Sequence, residues 1–497
     1  MKIGYIDQIL SVLILLVFLL PACQPDTPLV ITETPLDPPA TEIVAKPTQP
    51  IRFTQTSAPF TPTLANTPTP TPAVSNLEVD LDKLQGLKIT LWHPWVDLTA
   101  YQFENLIDQF NQTNPWGIQV DVRPMGGAGA LSTQVSQALQ LGMEPIHIVI
   151  APIETLNGWQ KKYGNVVDLS VYIHDSTYGL SDQEIADIPF VFLNQDRLGE
   201  VQLGIPAART IHVLFYNGSF AQSLGFDNPP ASIEDFKQQV CAAARANKED
   251  QTRANDGTGG WLVSYDPLGL LSWYLSFGGE VLTGEDQTTF QFNTEAGLSM
   301  FGFMKGLVDE GCAWIAKDPE PYTHFASRRT LIYSGVLEDV QPQEKAMQQA
   351  GSQDNWTILP YPPDSRGKPV LIGSGPSYAM FTATPEEELA AWLVIRYLAS
   401  ADSQIKLVPV SYSLPVRTTA VQGLEVFSRY HPQWAAANGW MPMLQPSPRL
   451  ASWRIARNIL SDAFWQVTQP QTKAESLPLI LQELDSTIQE VLEEQRQ

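Results

Sequence analysis

The most suggestive chemistry in this sequence is aromatic rings set beside polar groups. Trp92, His93 and Trp95 follow the run Ile89-Thr90-Leu91, Trp273 and Tyr274 precede Gly278-Gly279, and Trp453 follows a Pro-rich turn. An indole face covers the apolar C–H face of a sugar ring while nearby carboxylates, amides and hydroxyls bond its hydroxyl groups; small-molecule sites are mostly apolar with a few placed polar groups. The same rings serve equally as core packing. Trp92 alternates with Leu91 and suits a core, whereas Trp95 and Trp453 are better placed for a cleft. Sequence motifs for catalysis are missing: there is no HExxH, GxSxG or GxxxxGK. Gly126-Gly127-Ala128-Gly129 lacks dinucleotide spacing and reads as a flexible turn. The six histidines nowhere pair at metal-ligand spacing, so no metal and no cofactor is expected. Carboxylates are plentiful enough that a glycosidase-like acid pair stays open.

The elements that must position these residues read as a mixed α/β pattern. Ile89-Thr90-Leu91-Trp92 is a strand, and Thr99 with Gln102 resembles a capping box. Phe103, Leu106, Ile107 and Phe110 then mark one apolar helix face, which Pro115 ends. Ile118 to Val122 alternates as a strand, a second helix runs near Leu131 to Leu141, and Ile146 to Ile150 is a third strand. Strand–helix–strand–helix–strand opens a parallel sheet covered on both faces. Ligands of such sheets sit beyond the carboxyl ends of the strands, which marks Trp92 to Asp97 and Ala151 to Glu154. Val201 to Ile205 and Ile211 to Tyr216 read as strands around Pro206, and Ser232 with Asp235 starts a helix. Thr384-Pro385-Glu386-Glu387 is a helix start with cap, N1 proline and acid, and Leu477 to Leu492 is a final amphipathic helix.

The first 23 residues speak to compartment. Lys2 precedes an apolar run from Ile9 to Leu20, too short for a span of about 20 residues but of signal-peptide length. It ends in Leu20-Pro21-Ala22-Cys23, which resembles a bacterial lipobox with an unusual Pro21. Residues 1–22 are thus expected to be a signal peptide and Cys23 the lipidated N-terminus, anchoring the chain outside the cytoplasm, in a periplasm or on the outer face of the plasma membrane. Residues 23–76 then form a Pro/Thr-rich disordered stalk without helical or strand periodicity. Cys241 and Cys312 remain; an even count in an oxidising compartment suggests one disulfide, with two buried free thiols as the alternative. Such a bridge adds roughly 4 kcal/mol in the chain-entropy view. A formal net charge of -23 argues against nucleic acid and against an anionic membrane surface as partners, leaving the lipid as the only membrane contact.

Six stretches in order resemble the family 1 extracellular solute-binding proteins, the maltose-binding-like group. They are ITLWHPW with FENLIDQFNQTNPWGIQVDV, IPAARTIHVLFYNGSFAQSLGFDNPPASIEDF, FQFNTEAGLSMFGFMKGLVDEG, FASRRTLIYSG, ILPYPPDSRGKPVLIGSGPSYAM and PEEELAAWLVIRYLAS. The resemblance covers nearly all of 86–497. It implies a periplasmic-binding-protein-like fold, two α/β lobes with a hinge and an interlobe ligand cleft. Lobe 1 would comprise 86–205 and 372–410, and lobe 2 206–371 and 411–497.

Carried over by position, the resemblance implies ligand contacts at His93, Trp95 and Asp97 after the first strand and at Glu154 after the third. It implies Trp273, then Ser334 and Gly335, where the family often has Gly-Trp and this chain has Val336 instead of the aromatic. Gly375 falls at a crossover, Tyr412 near the third, and Trp453 at a helix-borne stacking position. The implied role is capture of a small solute, a sugar or oligosaccharide first, for the permease subunits of an ABC importer, as a monomer and without catalysis. Other solutes are a glycerol phosphate, with Arg209 and Arg417 as phosphate candidates, a polyamine, or a metal chelate; a surface polysaccharide-acting enzyme is the reading from another class.

Overall fold

The computed structural model describes Ser75 and residues 77–494, except 144, 284–287 and 318–319. The signal peptide, Cys23 and the stalk lie outside the described residues, apart from the stalk's Ser75. Among the described residues no helix is long and apolar enough to cross a membrane.

The chain builds one sheet, crosses to a second, returns, and crosses again. Strands β1 (Lys88–His93), β2 (Gln119–Pro124), β3 (Ile148–Ala151) and β4 (Ile205–Pro206) belong to the first sheet. Then β5 (Thr210–Asn217), β6 (Gly259–Leu262), β7 (Ala313–Trp314), β8 (Thr330–Val336), β9 (Trp356–Leu359) and β10 (Ile372–Ser374) build the second. The chain returns with β11 (Ser377–Met380) and adds β12 (Gln445–Pro446) to the second sheet. The first sheet has the order β2-β1-β3-β11-β4, parallel through β3 and antiparallel at β11. The second runs β7-β6-β8-β5-β10-β12, with β9 also paired to β5. Because β10 pairs with β5, residues 372–374 sit with the second lobe rather than opening the return to the first.

Side-chain alternation divides each sheet between two cores. Ile89, Leu91, Ile148 and Ile150 face Phe103, Leu106 and Ile107 of helix α1 (Asp97–Thr113). Val149 and Ala151 face Leu131 and Val135 of α2 (Ala128–Leu141) and Trp159 of α3 (Ile153–Tyr163). The apolar face of α1 is thus the one its periodicity marks, but the helix starts earlier than Thr99: Val96 is the N-cap and makes no side-chain cap. The Thr384 box does form, with Glu387 bonding back to the cap residue. In the second lobe a disulfide joins Cys241, on the helix Ile233–Glu249, to Cys312 just before β7. It fastens that helix to the edge of the sheet.

The crossovers lie at 207–209, 375–376 and 412–414, and Arg209 ties all three together. Its guanidinium donates to Asp196 Oδ2 (2.7 Å), to the carbonyl of Pro376 (2.7 Å) and to Ser377 Oγ (3.0 Å). Its own carbonyl accepts from the amide of Leu414 at 2.6 Å. Both partners of the ion pair are fully buried. Gly375 lies in the left-handed region (φ 146°), and a Cβ there would sit 2.3 Å from the carbonyl oxygen of Ala208, so only glycine lets the first two crossovers touch. Arg209 is therefore a hinge residue and not open to a phosphate. Arg417 is likewise buried, donating to the carbonyls of Ala399 and Glu184. Removing one member of a buried pair strands the other charge, at a cost of about 3–5 kcal/mol. Asp196→Ala is accordingly expected to lower unfolding free energy by that amount in urea titration, whereas an exposed control such as Asp121→Ala stays within about 0.5 kcal/mol of wild type.

Candidate functional site

The two lobes face one another at the ends of their sheets nearest the crossovers. On the first lobe these are the loops after β1 and β3. On the second they are Thr210 and His212 at the start of β5, the loop after β6, the end of β8, and Ser374 at the end of β10. A segment from 445 to 458 reaches across from the second lobe. In it Arg457 lies 3.3 Å from Glu154, Arg454 donates to Ser132 Oγ (3.2 Å), and the carbonyl of Arg449 accepts from Asn157 (3.1 Å). Gln195 bonds Ser447 at 2.9 Å in the same seam. Glu154 opens α3 directly after β3 and is 5% exposed. Burial lifts its pKa even though Arg457 and Arg454 draw it down.

On the second lobe, topology gathers polar groups from four distant segments. His212 Nδ1 lies 3.0 Å from Asp266 Oδ2, and its other ring nitrogen lies 3.2 Å from Ser374 Oγ. Asp266 also caps the helix Pro267–Ser276 by accepting from the amide of Gly269. At the end of β8, Asp339 accepts from the amide of Val336 (2.9 Å) and the hydroxyl of Tyr322 (2.7 Å). Glu338 accepts a short hydrogen bond from Thr210. Gly335 leaves room for this turn: a Cβ would stand 2.6 Å from Asp339 Oδ2. None of the three carboxylates forms an ion pair with a lysine or arginine among the described residues. Burial pushes Glu338 up to about 8 and raises Asp339 as well; burial also opposes ionisation of Asp266, but the neighbouring His212 and the amides it caps hold it below the usual range. The wall combines three carboxyl groups, an imidazole and hydroxyls. Such a set binds hydroxyl or amine donors, and within it Asp266, His212 and Ser374 stand in the order of a carboxylate–imidazole–hydroxyl relay.

Of the residues expected to meet a ligand, Glu154 lies in the seam, Ser334 and Gly335 lie in the second wall, and Asp97 is exposed beside the first. Trp95 is half-buried, its ring 4.4 Å from Phe103 and 5.6 Å from His93. Gly375 is at the crossover, where its role is close backbone approach. The others lie elsewhere. His93 continues the inward alternation of Ile89 and Leu91 and is fully buried, and desolvation drops its pKa to about 4. Tyr412 caps its helix in the left-handed region (φ 56°) and bonds Glu344 at 3.1 Å. Trp273 is 1% exposed between Phe236, Trp261 and Tyr361. Trp453 is 1% exposed too, packed on Phe290. Both tryptophans sit on the inward face of helices whose apolar sides close the second core, so they are packing residues in this conformation. His212, Asp266, Glu338, Asp339, Arg454 and Arg457 were not singled out beforehand. Asp266-Pro267 and Glu338-Asp339, each just beyond a strand, were the available signals.

This arrangement, two α/β lobes hinged at three crossovers with polar walls meeting at the strand ends, defines a binding protein of the two-lobed type. The chain belongs to the bacterial extracellular solute-binding protein family, whose model matches residues 105–440. No curated protein matches it. Among solved structures it is similar to the sugar-binding protein MalE from the phytopathogen Xanthomonas citri (18% identity, TM-score 0.68, covering 82% of this chain and 98% of that one). It is also similar to UgpB from Mycobacterium tuberculosis, solved with glycerophosphocholine (15%, TM-score 0.67, 82% and 99%). A third is the cyclic alpha-maltosyl-1,6-maltose binding protein from Arthrobacter globiformis (16%, TM-score 0.66, 81% and 98%).

Two variants check these placements. Trp453→Ala is expected to cost about 3–5 kcal/mol of unfolding free energy, the range for emptying a core site of an indole. A carboxyl whose folded pKa lies above its unfolded value keeps its proton in the native state while the unfolded chain loses it. Glu338 therefore makes stability fall as pH rises from the ordinary glutamate range to about 8, by up to about 1.4 kcal/mol per pH unit. Glu338→Gln should flatten that decline; an unchanged profile in pH-dependent urea unfolding refutes the assignment.

Proposed function

We propose that the protein is the capture component of an ABC-type importer. It takes a carbohydrate, a sugar or oligosaccharide, between its lobes and presents the closed form to permease subunits. It works as a monomer, without catalysis, and is held outside the cytoplasm by acylation of Cys23 with residues 24–76 as a spacer. The observation that carries the ligand class is the second-lobe wall. Asp266 pairs with the His212 imidazole, and among the described residues neither it nor Glu338 or Asp339 pairs with a lysine or arginine; their oxygens gather near the crossovers, and sugar hydroxyls are partners suited to them. The family match and the sugar-named structural relatives support the same reading.

Closure then follows as a population shift. A ligand that bonds both walls favours the closed form only by its differential affinity for it. The seam already holds Glu154–Arg457 and Arg454–Ser132, contacts that add little by themselves because one side is solvated. The ligand must supply most of the bias.

Titrating the purified protein with maltose and maltotriose while following thermal unfolding tests the proposal. Saturation at 100 times Kd is expected to add about 2.7 kcal/mol. Asp266→Asn should weaken sugar binding tenfold or more. A protein stabilised by no sugar defeats the carbohydrate reading.

A further inference from the structure

A second feature lies at the outer end of the seam. A groove of about 840 Å³ runs between α3 of the first lobe and the start of the helix Trp453–Thr468 of the second. Lys161, Lys162 and Tyr163 line one side, and Arg454, Arg457 and Asn458 the other; no acidic residue lines it among the described residues. Four cations converging on one groove are out of keeping with a chain of net charge -23. Part of the set has a local explanation. Lys161 and Lys162 fall in the last turn of α3, where cations suit the helix dipole. Arg457 is balanced by Glu154. Arg454 hydrogen-bonds a serine hydroxyl across the seam and shares Glu154 with Arg457, and neither lysine has a carboxylate partner among the described residues. Like charges around one groove repel one another, a cost that an anion between them lowers.

We infer that this groove takes the acidic part of the captured solute, and that the solute is an oligosaccharide bearing carboxylates along its length. This rests on the carbohydrate reading above and narrows it. The spacing argues for distributed charge over one compact phosphate. Arg454 and Arg457 stand at i, i+3 on one helix face. Lys161 lies seven residues along α3 from Glu154, roughly 10 Å by helical rise. The groove therefore offers cations in a row on two walls, Lys162 lying over the Tyr163 ring on one of them.

Calorimetric titration of the full chain with trigalacturonate, its fully methyl-esterified counterpart and maltotriose tests this. Trigalacturonate is expected to bind at least tenfold tighter than the ester, and to weaken as salt rises from 50 to 300 mM. The double variant Lys161→Gln/Lys162→Gln should lose most of that preference with only a small drop in thermal midpoint from the lost helix-end charges, since both side chains are exposed. Equal binding of acid and ester, or a preference untouched by the double variant, overturns the inference. Binding of maltotriose without trigalacturonate overturns it and leaves carbohydrate capture standing. Binding of no saccharide removes both.

Discussion

Arg209 and Asp196 form an ion pair with no solvent on either side, placed where three separate passes of the chain cross between lobes. Buried ion pairs are poor evidence for stability, because desolvating two charges offsets much of their attraction. What this pair supplies is geometry. A guanidinium presents donors in a fixed fork, and here the fork reads Asp196 and the carbonyl of Pro376 together, while the backbone of the same residue pairs with Leu414. Gln404 adds a second tie, donating to the carbonyl of Ala207 and accepting from the amide of Val416. The crossovers are thereby held in one register, and rotation of one lobe against the other is confined to the backbone on either side of it. Gly375 is part of the same constraint, since any side chain there forces two crossovers apart.

That constraint decides what the walls can be. Strands β5 and β10 leave the crossover immediately, so their first or last residues, Thr210, His212 and Ser374, are fixed to within a residue or two of the hinge. The loops after β6 and β8 come alongside because those strands pair in turn with one another and with β5. Polar side chains from four regions thus meet with no motif between them. Close to a hinge, a small rotation moves them little; at the rim, where Arg454 and Arg457 reach the first lobe, the same rotation makes a larger displacement. Contacts near the hinge suit recognition, and contacts at the rim suit reporting closure.

This geometry explains what could be read from the chain beforehand. The helix face of Phe103, Leu106, Ile107 and Phe110, the Thr384 cap and the early strand order are local or periodic features, and periodicity survives folding. The aromatic candidates were less legible because a tryptophan's type does not tell which side of a helix it occupies. Trp273 and Trp453 lie on the core side of theirs. His93 was readable in principle: it shares the two-residue period of Ile89 and Leu91, although its place at the end of the first strand in the family resemblance marked it as a site residue. Asp266 and Glu338 are 72 residues apart in sequence. Their approach is a consequence of strand pairing, which spacing along the chain cannot express.

Charge distribution adds a last constraint on what enters. At physiological ionic strength the field of a surface charge fades over about 8 Å. The net charge of -23 therefore governs encounter more than contact. Within the seam the sign is set by immediate neighbours, acidic and hydroxyl-rich near the hinge and basic at the outer groove. A solute that spans both must carry donors at one end and acceptors or negative charge at the other. A saccharide that carries both hydroxyl groups and carboxylates meets both, with its hydroxyls toward the hinge wall and its charge toward the outer groove.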